Sequence, residues 1–418
     1  MYTIQQLEET NSTVSKSIWR ISKSSKFVPN SVSIIVKLTN SCNYGCKYCY
    51  ISGPLISSDK KEFSNHKYLS DLYNKLANSK TIKYVNLISH GGEPLLLGKK
   101  FFKDMINVQK EILKDKQIVS TIQTNGSLID EEWVEFFKKN NFHVGISLDG
   151  PENLHREQRP SLSGDSFEQT IKGIQILQEN GIKFHCLSVV TKKLITYNTE
   201  NLFYFFLDNG INSFEFLPQD SVIDSNGNIL SEDIYFTNEY ADFIIKLFDV
   251  WYEHNDPNVH ILLFEDIIRT LLGNVTKSCQ IGKGMCANAV FTYYPDGTLQ
   301  PCDKFPRAYD NSENLITKLS EVNSFDDVFT LDKQKSAILS QVKSFKMCDG
   351  CPWIKKCRGG CVFDRYMYFR LGLDKTNTFR DCPTYKLYGH IAKRLMELKV
   401  IKHNLEPSLY DKNDKMVI

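Results

Sequence analysis

Three cysteines lie close together near the start of the chain, in the order Cys42-x3-Cys46-x2-Cys49. They follow an apolar stretch, residues 32–38, that has the composition of a buried strand. Three thiolates on one short loop can hold an iron–sulfur cluster and leave one iron without a protein ligand. An open coordination position is typical of a catalytic metal site, whereas a structural site is closed. Zinc is the alternative, but zinc ligands commonly come as paired Cys-x2-Cys units, so the spacing favours an iron–sulfur cluster.

Eight further cysteines form a second group in the C-terminal part of the chain. Eight thiolates fill two closed four-ligand sites, which suit either two cubane clusters or two zinc ions, and spacing alone does not separate these. Cys186 stands apart in an apolar run and is predicted to be a small core residue. The eight cysteines are Cys279, Cys286, Cys302, Cys348, Cys351, Cys357, Cys361 and Cys382.

Composition describes an ordinary globular chain of 418 residues, with 41% hydrophobic and 24% charged residues. The formal net charge of +2 gives no electrostatic reason to expect a nucleic acid or an acidic membrane as partner. The polar N-terminus lacks a signal-peptide core, and no apolar run reaches membrane-spanning length, so we expect a cytoplasmic protein. Disulfides are rare in that compartment, so the twelve cysteines indicate metal binding.

Strand-like and helix-period segments alternate along the first half of the chain, which predicts βαβ units and a parallel sheet. We therefore predict an α/β fold, a partial (β/α)6 TIM-type barrel followed by a cysteine-rich domain. Residues 291–299 contain a Pro-Asp-Gly turn and predict a hairpin. The predicted strands cover residues 32–38, 84–89, 118–123, 143–148, 184–190 and 213–217. The predicted domains are an N-terminal extension at 1–31, the barrel at 32–272, the cysteine-rich domain at 273–385, and a C-terminal helix and tail at 386–418.

Polar and glycine residues follow these predicted strands, at the strand ends where a TIM-type barrel carries its active site. In the Gly91-Gly92-Glu93-Pro94 segment, two residues without side chains would let a ligand approach the backbone, and Glu93 could accept a hydrogen bond from an ammonium group. Gln123, Asn125 and Ser147 are uncharged hydrogen-bonding residues at the next strand ends. Taken singly, each of these positions also fits a plain turn.

Taken together, the cysteine triplet, the Gly-Gly-Glu-Pro segment and the Ser147-Leu148-Asp149-Gly150 segment resemble the radical S-adenosylmethionine (SAM) superfamily. The eight later cysteines resemble its SPASM extension, and the chain is similar to anaerobic sulfatase-maturating enzymes and to maturases of ribosomally made peptides. The resemblance implies three [4Fe–4S] clusters and SAM as cofactors. It also implies that reductive cleavage of SAM yields a 5′-deoxyadenosyl radical that abstracts a hydrogen atom from the substrate.

The resemblance also implies roles for particular residues. Cys42, Cys46 and Cys49 would hold the first cluster, and Asp303, directly after Cys302, matches a proposed general base, with a turn residue as the alternative. SAM would be bound by Gly91, Gly92, Glu93, Gln123, Asn125, Ser147 and Arg159, although Arg156 lies close to Arg159. Cys279, Cys286, Cys302 and Cys361 would hold the first auxiliary cluster, and Cys348, Cys351, Cys357 and Cys382 the second.

We expect an enzyme that oxidises a side chain of a ribosomal precursor peptide to form a carbon–carbon or thioether cross-link. Formylglycine synthesis from Cys or Ser in a sulfatase is the alternative, and Asp303 favours it. Relative to the pattern of sulfatase-maturating enzymes, this chain has one more residue between Cys279 and Cys286 and an added N-terminal segment. Both differences favour the cross-link. A non-catalytic zinc or electron-transfer protein is a third alternative. A peptide or protein substrate and an electron donor such as flavodoxin or ferredoxin are the expected partners.

Overall fold

The computed structural model describes residues 28–50, 66–220, 237–274, 276, 286, 289–305, 316–335, 346–370 and 377–398. Strands and helices alternate along the first half of this part, as predicted. The strands are β1 (Ser31–Thr39), β2 (Tyr84–Gly91), β3 (Gln117–Thr124), β4 (Phe142–Ser147), β5 (Phe184–Val190), β6 (Phe214–Pro218), β7 (Val290–Tyr293), β8 (Thr298–Pro301) and β9 (Thr317–Lys318). The helices are α1 (His66–Ala77), α2 (Gly98–Ile112), α3 (Glu131–Asn140), α4 (Glu152–Gln158), α5 (Ser166–Glu179), α6 (Lys192–Ile195), α7 (Thr199–Asp208), α8 (Asn238–His254), α9 (Leu262–Leu271), α10 (Phe325–Val328), α11 (Ile354–Cys357), α12 (Val362–Arg370) and α13 (Pro383–Glu397).

The chain divides into two compact units. Among the described residues, the first unit holds those up to Ser188, Asp220 and 289–335, and the second holds 189–219, 237–286 and 346–398. The domain boundary that we expected at residue 273 stays a prediction, but this division places α8 and α9 with the C-terminal residues. The reason is that α8 and α9, which the sequence analysis assigned to the barrel, pack against α13 near the C-terminus.

The first unit is built on a sheet whose strand order is β5-β4-β3-β2-β1-β7-β8-β9. Strands β1 to β5 are all parallel to their neighbours, and β7 is parallel to β1. The predicted hairpin is present, because β7 and β8 pair antiparallel and Gly297 adopts a φ of +81° in the turn between them. The carboxyl ends of β1 to β5 therefore lie along one edge of the sheet, as the partial-barrel prediction requires.

Apolar side chains at alternate positions along the strands form the core of the first unit. On β1, Val32, Ile34, Val36 and Leu38 are buried, which accounts for the apolar run in the sequence. The predicted core residue Cys186 is fully buried on β5. Helices α2 and α3 contribute an aromatic cluster in which Phe102, Trp133, Phe136, Phe137 and Phe142 meet mainly edge to face.

In the second unit, α8 and α9 pack against α13. Strand β6 of this unit carries Glu215, whose buried carboxylate accepts hydrogen bonds from the backbone N–H groups of Phe216 and Leu263 and so anchors the start of α9. Trp353 packs on the ring of Tyr388 in α13 with the ring centroids 5.6 Å apart. Across the described parts of both units, none of the helices has the length and apolar character needed to span a lipid bilayer.

Candidate active site

The cysteine loop at the carboxyl end of β1 is held by backbone hydrogen bonds to the segment after α4. The N–H of Gly45 donates to the carbonyl oxygen of Pro160 at 2.8 Å, and the N–H of Leu162 donates to that of Asn43 at 2.9 Å. Tyr44 is buried within the loop, where its hydroxyl donates to a backbone carbonyl of α5. These contacts hold in place the loop that carries Cys42, Cys46 and Cys49.

The two glycines at the end of β2 press against the backbone that leads into this loop. The N–H of Gly92 donates to the carbonyl oxygen of Thr39 at 2.6 Å, and a Cβ at Gly92 would lie well inside 3.0 Å of the carbonyl oxygen of Ser41. Gly91 is similarly close to Thr39 and adopts a φ of +138°. We expected these glycines to admit a ligand. In the structure, the chain segment before Cys42 itself fills the space beside them.

Glu93 follows the glycines and is buried, with 1% of its surface exposed. One carboxylate oxygen accepts hydrogen bonds from the N–H of Leu95 and the hydroxyl of Thr124, and the other accepts from the N–H of Asn125 at 2.8 Å. Burial raises the pKa of Glu93 to about 7, against the opposing effect of these three donors. The Asn125 side chain continues the network by donating to Asn43 in the cysteine loop at 2.9 Å.

Gln123 and Ser147 lie at the ends of the neighbouring strands β3 and β4. The amide nitrogen of Gln123 donates to the hydroxyl oxygen of Ser147 at 3.0 Å. Two predicted SAM ligands are therefore in mutual contact at the carboxyl edge of the sheet. Their role in binding SAM stays a prediction.

Arg159, rather than its neighbour Arg156, belongs to the cysteine loop. Its guanidinium pairs with the fully buried carboxylate of Asp149 at 3.0 Å and lies 3.8 Å from the sulfur of Cys46. Arg156 instead pairs with exposed acidic side chains of α4 and the start of α5. Burial raises the pKa of Cys46 to about 11, and the nearby positive charge of Arg159 opposes that rise. Asp149 lies in a segment quoted in the sequence analysis, but its partnership with Arg159 was not predicted.

Of a second polar group at this edge, the sequence analysis predicted Asp303 but missed its three partners. Lys37 on β1 contacts Tyr50 after the cysteine loop, His90 on β2 and Asp303 after β8, and we call these four residues the Lys37 cluster. The ammonium of Lys37 donates to Oδ2 of Asp303 at 3.2 Å and lies 3.2 Å from Nδ1 of His90. The Tyr50 hydroxyl donates to the same Oδ2 at 2.6 Å. The one sequence signal was a lone lysine in an otherwise apolar strand.

Electrostatics in the Lys37 cluster favour an ionised Asp303. Although burial opposes ionisation, the ammonium of Lys37 and the hydrogen bond from Tyr50 hold the pKa of Asp303 below its usual range. Burial and the charge of Lys37 lower the pKa of His90 to about 3, so its imidazole is neutral at physiological pH. The cluster therefore contains one cation and one anion.

In the second unit, the four cysteines predicted for the second auxiliary cluster line one cavity, which Cys361 and Arg365 also line. Burial raises the pKa of Cys348 to about 12 and that of Cys351 to about 11, and the other thiols contribute to the rise. Such thiols become good ligands when a cation replaces their protons. The four cysteines are Cys348, Cys351, Cys357 and Cys382.

The set predicted for the first auxiliary cluster is not tested. Cys279 lies outside the described residues, Cys302 belongs to the first unit, and Cys286 and Cys361 belong to the second. Cys302 adopts a φ of +40°, in the left-handed region, immediately before Asp303. This cluster stays a prediction.

Within the described ranges, no group of three or more His, Cys, Asp or Glu side chains is arranged to hold a metal ion. A cubane cluster makes a different demand, because each thiolate binds a different iron and the sulfurs do not converge on a single point. The Cys42 loop, with three partly buried cysteines and an adjacent guanidinium, suits an anionic iron–sulfur cluster in its donor chemistry.

Comparison with known proteins identifies relatives along most of the chain. The Radical SAM superfamily profile matches residues 36–198. A cysteine-type anaerobic sulfatase-maturating enzyme of Clostridium novyi (strain NT) is 31% identical over 383 residues, covering 90% of this chain and 98% of that enzyme. The solved structure of native anSMEcpe with bound AdoMet matches with a TM-score of 0.71 at 22% identity, covering 88% of this chain and 100% of that one. The crystal structure of Streptococcus suis SuiB bound to S-adenosylmethionine matches with a TM-score of 0.55 at 16% identity, covering 83% of this chain and 76% of that one.

The two solved structures confirm the predicted partial barrel, and the similarity to the Clostridium novyi enzyme extends over nearly the full length of both chains. The residues of the Cys42 loop lie inside the segment that the superfamily profile matches. The chain therefore belongs to the radical SAM superfamily, whose members use a [4Fe–4S] cluster and SAM, and it is a radical SAM enzyme.

Proposed function

We propose that this enzyme oxidises a cysteine or serine side chain of a protein substrate to formylglycine, as an anaerobic sulfatase-maturating enzyme. The observation that carries the proposal is the carboxylate of Asp303, held ionised by Lys37 and Tyr50 at the carboxyl edge of the sheet. The similarity to the cysteine-type enzyme of Clostridium novyi over 98% of its length supports the same function. These points favour formylglycine synthesis over the peptide cross-link that we expected first.

Cys42, Cys46 and Cys49 would hold the [4Fe–4S] cluster to which SAM binds. When bound, these cofactors supply the one-electron chemistry that removes a hydrogen atom from the substrate. Burial raises the pKa of Cys42 to about 12, so the metal-free thiol is protonated at neutral pH and cluster assembly releases its proton. Arg159, 3.8 Å from the sulfur of Cys46, offsets part of the negative charge that remains.

Residues at the strand ends would bind SAM. A carboxylate offers about four acceptor positions. Glu93 uses three of them for Leu95, Thr124 and Asn125, which leaves capacity for one ligand ammonium group. Gln123 and Ser147 offer neutral hydrogen-bonding groups on the next two strands. The full proposed set is Gly91, Gly92, Glu93, Gln123, Asn125, Ser147 and Arg159, in which the two glycines act by letting the Cys42 loop approach β2.

Asp303 would accept the proton of the substrate thiol or hydroxyl. The side chain of Asp303 is 14% exposed, whereas its partner Lys37 is 3% exposed, so a substrate reaches the carboxylate and not the ammonium. An ionised carboxylate is the form that accepts a proton. The neighbouring charges keep Asp303 in this ionised form at physiological pH.

Two auxiliary [4Fe–4S] clusters would take up the electron that remains after hydrogen abstraction, which makes the reaction a net oxidation. The second of them is supported by the cavity that contains all four of its predicted thiols. A flavodoxin or ferredoxin would reduce the cluster held by the Cys42 loop. The substrate would be a protein or peptide, since the related structures of anSMEcpe and SuiB hold bound peptides.

Anaerobic purification followed by metal and sulfide analysis is the first test. Three cubane clusters give roughly twelve irons per chain, whereas zinc with little iron would contradict the proposal. The purified enzyme is then incubated with SAM, a reductant and matched sulfatase-derived peptides that carry Cys, Ser or Ala at the target position. We expect an aldehyde, trapped with a hydrazide and located by mass spectrometry, from the Cys or the Ser peptide and none from the Ala peptide.

Cys42→Ala is the matched control because it removes one ligand of the proposed catalytic cluster. It is expected to abolish deoxyadenosine formation, and undiminished formation would refute the assignment of Cys42. A precursor peptide that loses hydrogen without gaining a hydrazide-reactive group would instead establish the cross-link.

A further inference from the structure

Lys37 is a charged residue on the buried central strand β1, and three acceptors surround its ammonium group. Its Nζ lies 3.2 Å from Oδ2 of Asp303, 3.2 Å from Nδ1 of His90 and 3.4 Å from the hydroxyl oxygen of Tyr50. An ammonium has three protons to donate. Oδ2 of Asp303 and the hydroxyl oxygen of Tyr50 can accept two of them, whereas Nδ1 of His90 also accepts from the backbone N–H of Gly91 at 2.8 Å. The acceptors around Lys37 are therefore groups of the protein itself.

Only Asp303 compensates the charge of Lys37 within ion-pair distance among the described residues. His90 is a neutral acceptor, and Tyr50 donates its own proton to Oδ2 of Asp303 at 2.6 Å. A buried charge is tolerated when it is paired and hydrogen-bonded. The arrangement is therefore complete without a ligand on Lys37 and depends on Asp303 being present as a carboxylate.

The two oxygens of Asp303 have different surroundings. Oδ2 accepts from both Lys37 and Tyr50, whereas Oδ1 has one hydrogen-bond contact in the described part of the chain, with the thiol of Cys302 at 3.9 Å. If Cys302 binds a cluster, its thiol proton is lost and it no longer donates to Oδ1. Oδ1 is then the oxygen with the greater capacity to accept a hydrogen bond from a substrate.

We propose that Lys37 is a positioning residue, which anchors Asp303 through Oδ2 so that Oδ1 is presented to the reacting side chain of the substrate. The inference rests on the proposed function, in which Asp303 takes the substrate proton. Lys37 would contact neither substrate nor SAM and would act entirely through Asp303. It would therefore govern how much of the deoxyadenosine formed is accompanied by product.

The test compares Lys37→Met, Asp303→Asn and the double variant in the cluster-loaded enzyme with the peptide substrate. The measured quantity is the ratio of product to deoxyadenosine. We expect Lys37→Met to lower this ratio by roughly tenfold or more, as displaced catalytic groups do, while deoxyadenosine is still formed. In the Asp303→Asn background the same change should alter the ratio by less than about twofold, since coupled residues are not additive.

Two results would overturn the proposal: a ratio in Lys37→Met equal to that of the wild type, or equal losses from Lys37→Met in both backgrounds. Lys99→Met is the matched control, because Lys99 pairs with Asp130 on the surface, and it should leave the ratio unchanged. A wild-type enzyme that forms deoxyadenosine but no aldehyde would refute the proposed function instead. In that case the wild type, the two single variants at Lys37 and Asp303 and the double variant are compared by denaturant unfolding. A coupling below about twofold in the unfolding constant would refute the Lys37–Asp303 anchor.

Discussion

Gly92→Ala is the substitution for which the structure makes the sharpest prediction. The added Cβ would lie well inside 3.0 Å of the carbonyl oxygen of Ser41, and that oxygen belongs to rigid backbone directly before Cys42. Unlike Gly91, Gly92 does not have a positive φ. The expected penalty therefore comes from collision and not from backbone strain.

The expected loss in free energy of unfolding follows from the backbone that must move to accept the new Cβ. Relief of the collision requires the segment before Cys42 to shift away from β2, and overpacking of this kind costs about 1–3 kcal/mol. The shift also weakens two backbone hydrogen bonds, from Gly92 to Thr39 and from Glu93 to Ser41, each worth about 0.5–1.5 kcal/mol. Partial relaxation offsets some of the total, so we expect the free energy of unfolding to fall by ~2–4 kcal/mol.

The assay combines denaturant unfolding with iron analysis and deoxyadenosine formation. Gly389→Ala is the matched control, because Gly389 lies within α13 and a Cβ there would meet no atom within 4 Å. That change should stabilise the protein by about 0.5–1 kcal/mol through helix propensity. The prediction for Gly92→Ala fails if its free energy of unfolding equals that of the wild type and its iron content and deoxyadenosine formation are unchanged.

Three further predictions concern charged groups. Arg159→Met leaves the carboxylate of Asp149 buried without its cation, so the free energy of unfolding should fall by about 3–5 kcal/mol. Arg156→Met, at a partly exposed position, should change it little, and equal effects in denaturant unfolding would refute this difference. Burial raises the pKa of Glu215 to about 8 from an ordinary value of 4.5. The folded state therefore favours the neutral acid, and its stability should decline as the pH rises from 4.5 towards 8; Glu215→Gln should flatten that slope in unfolding measurements, and an unaltered slope would contradict the assignment. Arg365 lines the cavity proposed for the second auxiliary cluster, so Arg365→Met should lower the reduction potential of that cluster by removing a nearby positive charge, as followed by electron paramagnetic resonance during a redox titration. An unchanged potential at full iron content would show that the charge does not act on the cluster.

Local sequence patterns predicted the elements because the physical causes of those elements are themselves local. Alternating strand and helix periods correspond to β1–β5 and their helices, and the Pro-Asp-Gly turn forms the hairpin between β7 and β8. The spacing of Cys42, Cys46 and Cys49 indicated the superfamily because thiolates that share a cluster must lie on one short loop. For these features no knowledge of distant contacts was needed.

The site beyond the motifs depended on contacts between distant segments. Lys37 and Asp303 are 266 residues apart, and neither position shows its partner in the sequence. Gly92 was read as an opening for a ligand because the sequence does not show that Ser41 lies against it.

The amino-acid sequence by itself therefore indicated the superfamily, the partial barrel and the candidate cluster cysteines. Each of these rests on residue type, periodicity or spacing. Tertiary structure alone decided that Arg159 and not Arg156 reaches Cys46, and that Asp303 is held by Lys37 and Tyr50. The physical reason is that a carboxyl edge of parallel strands gathers side chains from far-apart segments, and only the fold specifies which of them meet.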